Sequence, residues 1–180
     1  TVNNSTASNA LTLGGPVTVS NTMTFTDGHV VSTASNLLTL DVNATVASVS
    51  DGSHVVGPVA KVKNTIAVFE FPVGDGTNYM PASVTPTSTT STTYRVQYFA
   101  IEQTQGAALG VGVDHVSSQD YWTVERTTGT ADAAVTLSWE YASAGDSEIN
   151  VVGDLLVAQW DGALWASQGN TATTGSTTAG

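Results

Sequence analysis

Leu11-Thr12-Leu13-Gly14-Gly15-Pro16-Val17-Thr18-Val19-Ser20-Asn21-Thr22-Met23-Thr24-Phe25 sets three apolar pairs, Leu11/Leu13, Val17/Val19 and Met23/Phe25, six residues apart. Each pair flanks a threonine, the period-two signature of a short strand with one buried face. Gly14-Gly15-Pro16, Ser20-Asn21 and Asp27-Gly28 separate the pairs and supply turns. Leu38/Leu40 and Val42/Val46 keep the alternation and lose the strict spacing. Three near-copies suggest stacked rungs, but a solenoid needs more repeats to bury a core. Residues 1–50 therefore read as a Thr-rich, short-strand extension, donor or solenoid-like, that leans on something else.

Outward from that stretch, longer strands are expected at His54–Lys63, Thr65–Phe71, Ala82–Pro86, Tyr94–Ile101, Tyr121–Arg126, Ala133–Tyr141, Leu155–Asp161 and Leu164–Gln168. Tyr94, Val96 and Tyr98 alternate against Arg95, Gln97 and Phe99, and Val135, Leu137, Trp139 and Tyr141 form the cleanest inward face. Strands at this spacing, broken by Gly, Pro and Asp turns, predict an antiparallel β-sandwich of jelly-roll or Ig-like kind over residues 51–180. No segment holds a 3.6-residue period over three turns, so helix is expected to be minor.

The 180 residues carry four Lys and Arg against 15 Asp and Glu, a net charge of -11. That sign opposes nucleic acid and anionic lipid as partners. No apolar run approaches the ~20 residues of a spanning helix, so membrane insertion is not expected. Without cysteine there is no disulfide, thiolate metal site or thiol chemistry. Threonine (29) and serine (18) dominate, and lysine is scarce, as in exported β-proteins whose half-wet surfaces favour β-branched Thr. The chain opens at Thr1 with no basic or apolar leader, so any targeting peptide is expected to have been removed.

The chemistry-bearing residues read mostly as structural. His29, His54 and His115 are widely spaced and read as solvated or hydrogen-bonded strand ends. GxSxG, GxGxxG and GxxxxGK[ST] patterns are missing, so no catalytic residue is assigned. Glu125 and Glu140, on neighbouring expected strands, are the one pair that could serve glycoside hydrolysis, and both also fit solvent-facing positions. Asp27, Asp51, Asp75 and Asp161 precede glycines in turns that need no ion. Calcium is the one candidate cofactor, around Asp146, Glu148 and Asp154. Of Trp122, Trp139, Trp160 and Trp165, the last lies beside a turn and is the candidate platform for stacking a surface glycan, the others reading as core.

Three stretches together resemble a recurring module of very large surface proteins of the Bacteroidota. They are His54-Val55-Val56-Gly57-Pro58-Val59-Ala60-Lys61-Val62 running into Phe71-Pro72-Val73-Gly74-Asp75-Gly76, then Tyr121-Trp122-Thr123-Val124-Glu125-Arg126 before Val135-Thr136-Leu137-Ser138-Trp139, and last Trp160-Asp161-Gly162. In that family such blocks follow Leu-Thr-Leu repeats, which Leu11–Leu13 and Leu38–Leu40 resemble. The resemblance implies export to the cell surface by the type IX route and an adhesive or scaffolding role.

The extension's short strands have no evident partner sheet within one domain. The expectation is therefore a homopolymer, in which Leu11, Leu13, Val17, Val19, Met23 and Phe25 of one copy dock on the next by β-augmentation, giving a head-to-tail extracellular filament. A carbohydrate-binding module is the alternative.

Overall fold

The computed structural model describes residues 1–5, 10–140 and 149–180. After a short strand β1 (Val2–Asn3), one turn of chain is made by β2 (Ala10–Thr12), β3 (Val17–Val19) and β4 (Thr22–Asp27). The next is made by β5 (His29–Val31), β6 (Leu38–Leu40) and β7 (Thr45–Ala47), and a third opens with β8 (Val55–Val56) and β9 (Val59–Lys63). Strands one turn apart pair in parallel: β2 with β5 and β5 with β8, β3 with β6 and β6 with β9, β1 with β4 and β4 with β7. This is a parallel β-solenoid of about 3 turns, with one sheet on each of three faces.

The expected antiparallel sandwich is thereby overturned, and so is the boundary at residue 50, because β8 and β9 continue the sheets that β2 and β3 begin. The physical reason is plain. Alternation at i and i+2 reports which face of a strand is buried but not the direction of its neighbour. The spacing of six residues is the step from one face to the next. The step that stacks one turn on another is 21 residues on the second face, from Val17 to Leu38 to Val59.

Stacking at that step builds inward columns. Leu11, Val30, Val55 and Val73 form one, and Val17, Leu38 and Val59 another, with Val30, Leu38, Val55, Val59 and Val73 buried. Met23 and Phe25 of β4 are buried on the third face. Outward positions carry threonines, among them Thr22 and Thr45, whose hydroxyls meet at 3.0 Å across adjacent turns. The expected single strand His54–Lys63 is broken at Gly57-Pro58, where the chain turns a corner between two faces.

Gly57 sits at φ 118°, and a Cβ there would lie 2.2 Å from the carbonyl oxygen of Ser32 in the corner beneath. The Ser32 hydroxyl fills the same corner, donating to the Pro58 carbonyl at 2.7 Å. Gly57→Ala is therefore expected to destabilise the fold by about 2–4 kcal/mol, combining backbone strain with a steric clash. A urea titration checks this, and a loss under about 0.5 kcal/mol would show that the corner is not rigid.

Further strands are β10 (Phe69–Phe71), β11 (Val73–Gly74), β12 (Ala82–Pro86), β13 (Thr92–Phe99), β14 (Tyr121–Thr128), β15 (Ala133–Leu137), β16 (Ala158–Trp160) and β17 (Trp165–Ser167). β11 adds in parallel to β8, while β13 crosses β9 antiparallel with β14 beside it; β10, β12 and β15 form another sheet. β13 alternates buried and half-buried residues from Thr92 to Phe99, so Tyr94, Val96 and Tyr98 do share the inward face. The chain divides into two compact units, Thr1–Phe99 with Trp122–Thr136, and Ala100–Tyr121 with Leu137–Gly180. The first holds the solenoid. The second contains the antiparallel pair β16 and β17, bridges joining Leu109 to Trp165 and Glu140 to Ala179, and a 3-10 turn at Val152–Asp154.

Candidate functional site

β2 and β3 are the terminal strands of their sheets, and there the inward columns stop being covered. Leu11, in register with three buried valines, is 49% exposed, and Val17, in register with buried Leu38 and Val59, is 39% exposed. Among the described residues no strand pairs on the far side of β2 or β3, where the Asn4 side chain donates to the Ala10 carbonyl at 3.0 Å. Val19 is half-buried, whereas Leu13, Met23 and Phe25 are buried within their own chain. The six residues expected to dock on a neighbour thus divide. Leu13, Met23 and Phe25 fill their own core, Val19 stands between, and Leu11 and Val17 remain available. The expectation that this segment lacks an internal partner sheet is corrected: β5, β6 and β7 are its partners.

A further terminal strand is β7. Near it, Thr45, Val46, Val49, Val68, Phe69, Glu70 and Tyr79 line a shallow groove of about 220 Å³. The sequence reading missed this edge, since Thr45-Val46-Ala47 carries only one large apolar residue. Tyr79 donates its hydroxyl to Glu70 Oε1 at 2.6 Å. Burial first, and that bond second, push its phenol well above the usual range.

All four cations are engaged. Arg95 pairs with Glu125 and Arg126 with Asp132. Lys61 and Lys63 are buried. Lys61 continues the column of Val19 and Leu40, and its Nζ donates to the carbonyls of Asp41 (2.6 Å), Val42 (3.1 Å) and Ala44 (2.7 Å), 5.0 Å from the centre of the Phe69 ring. Burial lowers its pKa to about 8, and the neighbouring Lys63 adds to the shift. Lys63 Nζ reaches Thr65 Oγ1 at 3.2 Å.

The remaining sequence candidates are structural where they are described. His54 is buried, its Nδ1 lying 3.0 Å from the Ser50 carbonyl and its Nε2 accepting from the Gly76 amide at 3.0 Å. Those partners suit the neutral ring, and burial lowers its pKa. His29 stacks edge-on against it at 4.4 Å, and His115 is exposed beside Asp114. Three of the four Asp-Gly turns place glycine at positive φ, at Gly28, Gly76 and Gly162. Asp75 accepts from the amides of Thr77 and Asn78, and Asp161 from those of Ala163 and Leu164.

Trp165 is only 9% exposed, its indole N–H donating to the Gly106 carbonyl at 3.0 Å, so the expected exposed stacking platform is corrected to a buried anchor. Its ring packs 5.7 Å from that of Trp160. Trp139 is half-buried and donates to the Ser176 carbonyl. Of the calcium candidates, Asp154 is exposed in the 3-10 turn, while Asp146 and Glu148, like Tyr141 of the expected inward face, lie outside the described residues. Among the described residues no group of three or more His, Cys, Asp or Glu is placed to hold a metal. Glu125 is held by Arg95, and Glu140 takes part in the bridge to Ala179. No family model, no curated protein and no solved structure matches the chain.

Proposed function

We propose that this protein is a non-enzymatic structural or adhesive subunit of an extracellular surface, which associates with copies of itself by adding strands at open sheet edges. The carrying observation is the first turn of the solenoid, where two terminal strands leave the core-type residues Leu11 and Val17 half exposed. Natural edge strands are usually blunted by lysine, proline or an inward charge. β2 and β3 contain none of these. The β7 edge is a second place at which a strand can add, and a filament, unlike a closed pair, requires two such places. Export to a cell surface fits the threonine and serine content, the lack of cysteine, and the burial of both lysines.

Strand addition replaces the donor mechanism expected from the sequence. A segment whose Met23 and Phe25 fill its own core cannot leave without opening that core. Negative-stain electron microscopy of the purified chain, at rising concentration, tests the reading. Linear assemblies are expected, and separate monomeric particles at every concentration would overturn it.

A further inference from the structure

We infer that His54 is an acid-sensitive latch: its neutral ring fastens the turn from Asp75 to Tyr79 across the edge of β11, and protonation of the ring releases that turn.

The bonds to the ring fix its state. The Gly76 amide donates to Nε2 at 3.0 Å, and because an amide N–H can only donate, Nε2 carries the lone pair. The proton therefore sits on Nδ1, which donates to the Ser50 carbonyl at 3.0 Å. A cationic ring carries a proton on both nitrogens and cannot accept from Gly76. The Ser50 bond survives that change, so the conflict falls on the turn alone, where two donors would face each other in a buried site. Packing leaves them no space to part in place. His54 is fully buried, and a Cβ at Gly74 would lie 2.7 Å from Nε2 and 2.2 Å from the Asn78 carbonyl oxygen. Relief requires the turn to move outward.

That turn is the cover of β11. The Asp75 amide donates to the Asn78 carbonyl, the Met80 amide to the Val73 carbonyl, and a bridge joins Gly74 to Tyr79. The hydroxyl of Tyr79 holds Glu70, and both line the groove beside β7. Outward movement thus uncovers the β11 edge and loosens one wall of that groove.

Four titratable groups lie around the ring: His29 of β5, Asp51 of the loop before β8, and Asp75 and Tyr79 of the turn. Burial is the largest influence on His54 and disfavours its cation; the Ser50 bond and the Asp75 and Asp51 carboxylates oppose it, and His29 adds to it. Both carboxylates are already engaged by the turn, Asp75 with the Thr77 and Asn78 amides and Asp51 with the Tyr79 amide. Above about pH 6.5 the ring is neutral with the turn closed or open, and pH does not bias the latch. Below it the open form binds the proton more tightly, so closure weakens as pH falls.

Amide hydrogen exchange followed by NMR, corrected for intrinsic rates, reads the latch. From about pH 7.5 to about pH 5, protection of the Gly76, Tyr79 and Met80 amides is expected to fall about 10-fold or more, while Tyr94 and Val96 in the central strand β13 keep theirs. Nitrogen NMR of the rings is expected to show His54 as the Nδ1–H tautomer at about pH 7.5, with the midpoint of its titration matching the loss of protection. His54→Gln, whose side-chain oxygen accepts at any pH in this range, is expected to keep the turn protected, and His29→Gln to retain the acid response. Constant protection of the turn, a cationic or Nε2–H ring at the higher pH, or a loss shared equally by β13 would each overturn the inference. So would an acid response that persists in His54→Gln or disappears in His29→Gln. Should His54→Gln fail to fold, the tautomer and the coincidence of midpoints in the unaltered chain decide the matter.

Discussion

Phe25→Ala is expected to lower the unfolding free energy by about 3–5 kcal/mol, the usual cost of emptying a buried aromatic site. Phe25 is fully buried on β4, in register with Val2 of β1 above it, and it shares the buried face of its strand with Met23. A short parallel rung relaxes poorly into a cavity because its backbone is tied to the turns on either side, β1 and β7. The same logic applies to removal of residues 1–25. An appended segment could be cut away to leave a folded monomer, but here the cut strips the cover from β5 and β6 and takes most of β4. Deletion should therefore broaden or abolish the cooperative thermal transition. A change below about 1 kcal/mol for Phe25→Ala, or an unchanged melt after deletion, would return these residues to the status of an appendage.

Lys61→Met is the second large effect, expected to cost about 2–3 kcal/mol near pH 7. Lys61 is only 2% exposed, and a methionine would fill much of its volume. Replacing a buried charge by an apolar side chain is often neutral when its partners are replaced too. Here the partners stay. The carbonyls of Asp41, Val42 and Ala44 each lose a charge-assisted donor, and unsatisfied acceptors are what make such substitutions expensive.

The pH dependence separates this role from simple packing. Folding lowers the Lys61 pKa from 10.5 to about 8, so the unfolded chain holds its proton more tightly. Below about pH 8 both states are protonated and the group adds no slope. From about pH 8 upward the unfolded state binds more protons, so stability rises with pH. Above about pH 10 the trend reverses, because burial raises the phenols of Tyr79 and Tyr94 and unfolding lets them ionise. Melting temperature should therefore climb between pH 8 and 10 in the unaltered protein, and the climb should shrink in Lys61→Met. An identical profile in both proteins would remove Lys61 as its source.

Much of the local structure was legible. Leu11/Leu13, Val17/Val19 and Met23/Phe25 do mark β2, β3 and β4, and Ala82–Pro86 is a strand with the bounds the sequence suggested. What stayed hidden was how the strands meet. Leu38 and Leu40 recur 21 residues after Val17 and Val19, but the matching step on the first face is 19 residues, from Leu11 to Val30, and then 25, from Val30 to Val55. Corners of unequal length blur the repeat while leaving the columns in register. Lys61 was illegible for a related reason: a lone lysine in a strand reads as solvent-facing until the carbonyls of residues 41–44 are brought beneath it. Trp165 shows the limit of turn proximity as a guide, since the turn at Asp161-Gly162 folds its ring inward.

The unequal corners also bear on how such a coil changes over generations. Its lid lies at the later end, over β11 and β9, and the Leu11 and Val17 columns hold only Leu and Val at their successive levels. A tandem duplication of one 21-residue winding, inserted between β3 and β6, would lengthen every column by a single storey and leave the lid undisturbed. The architecture can thus gain height by copying.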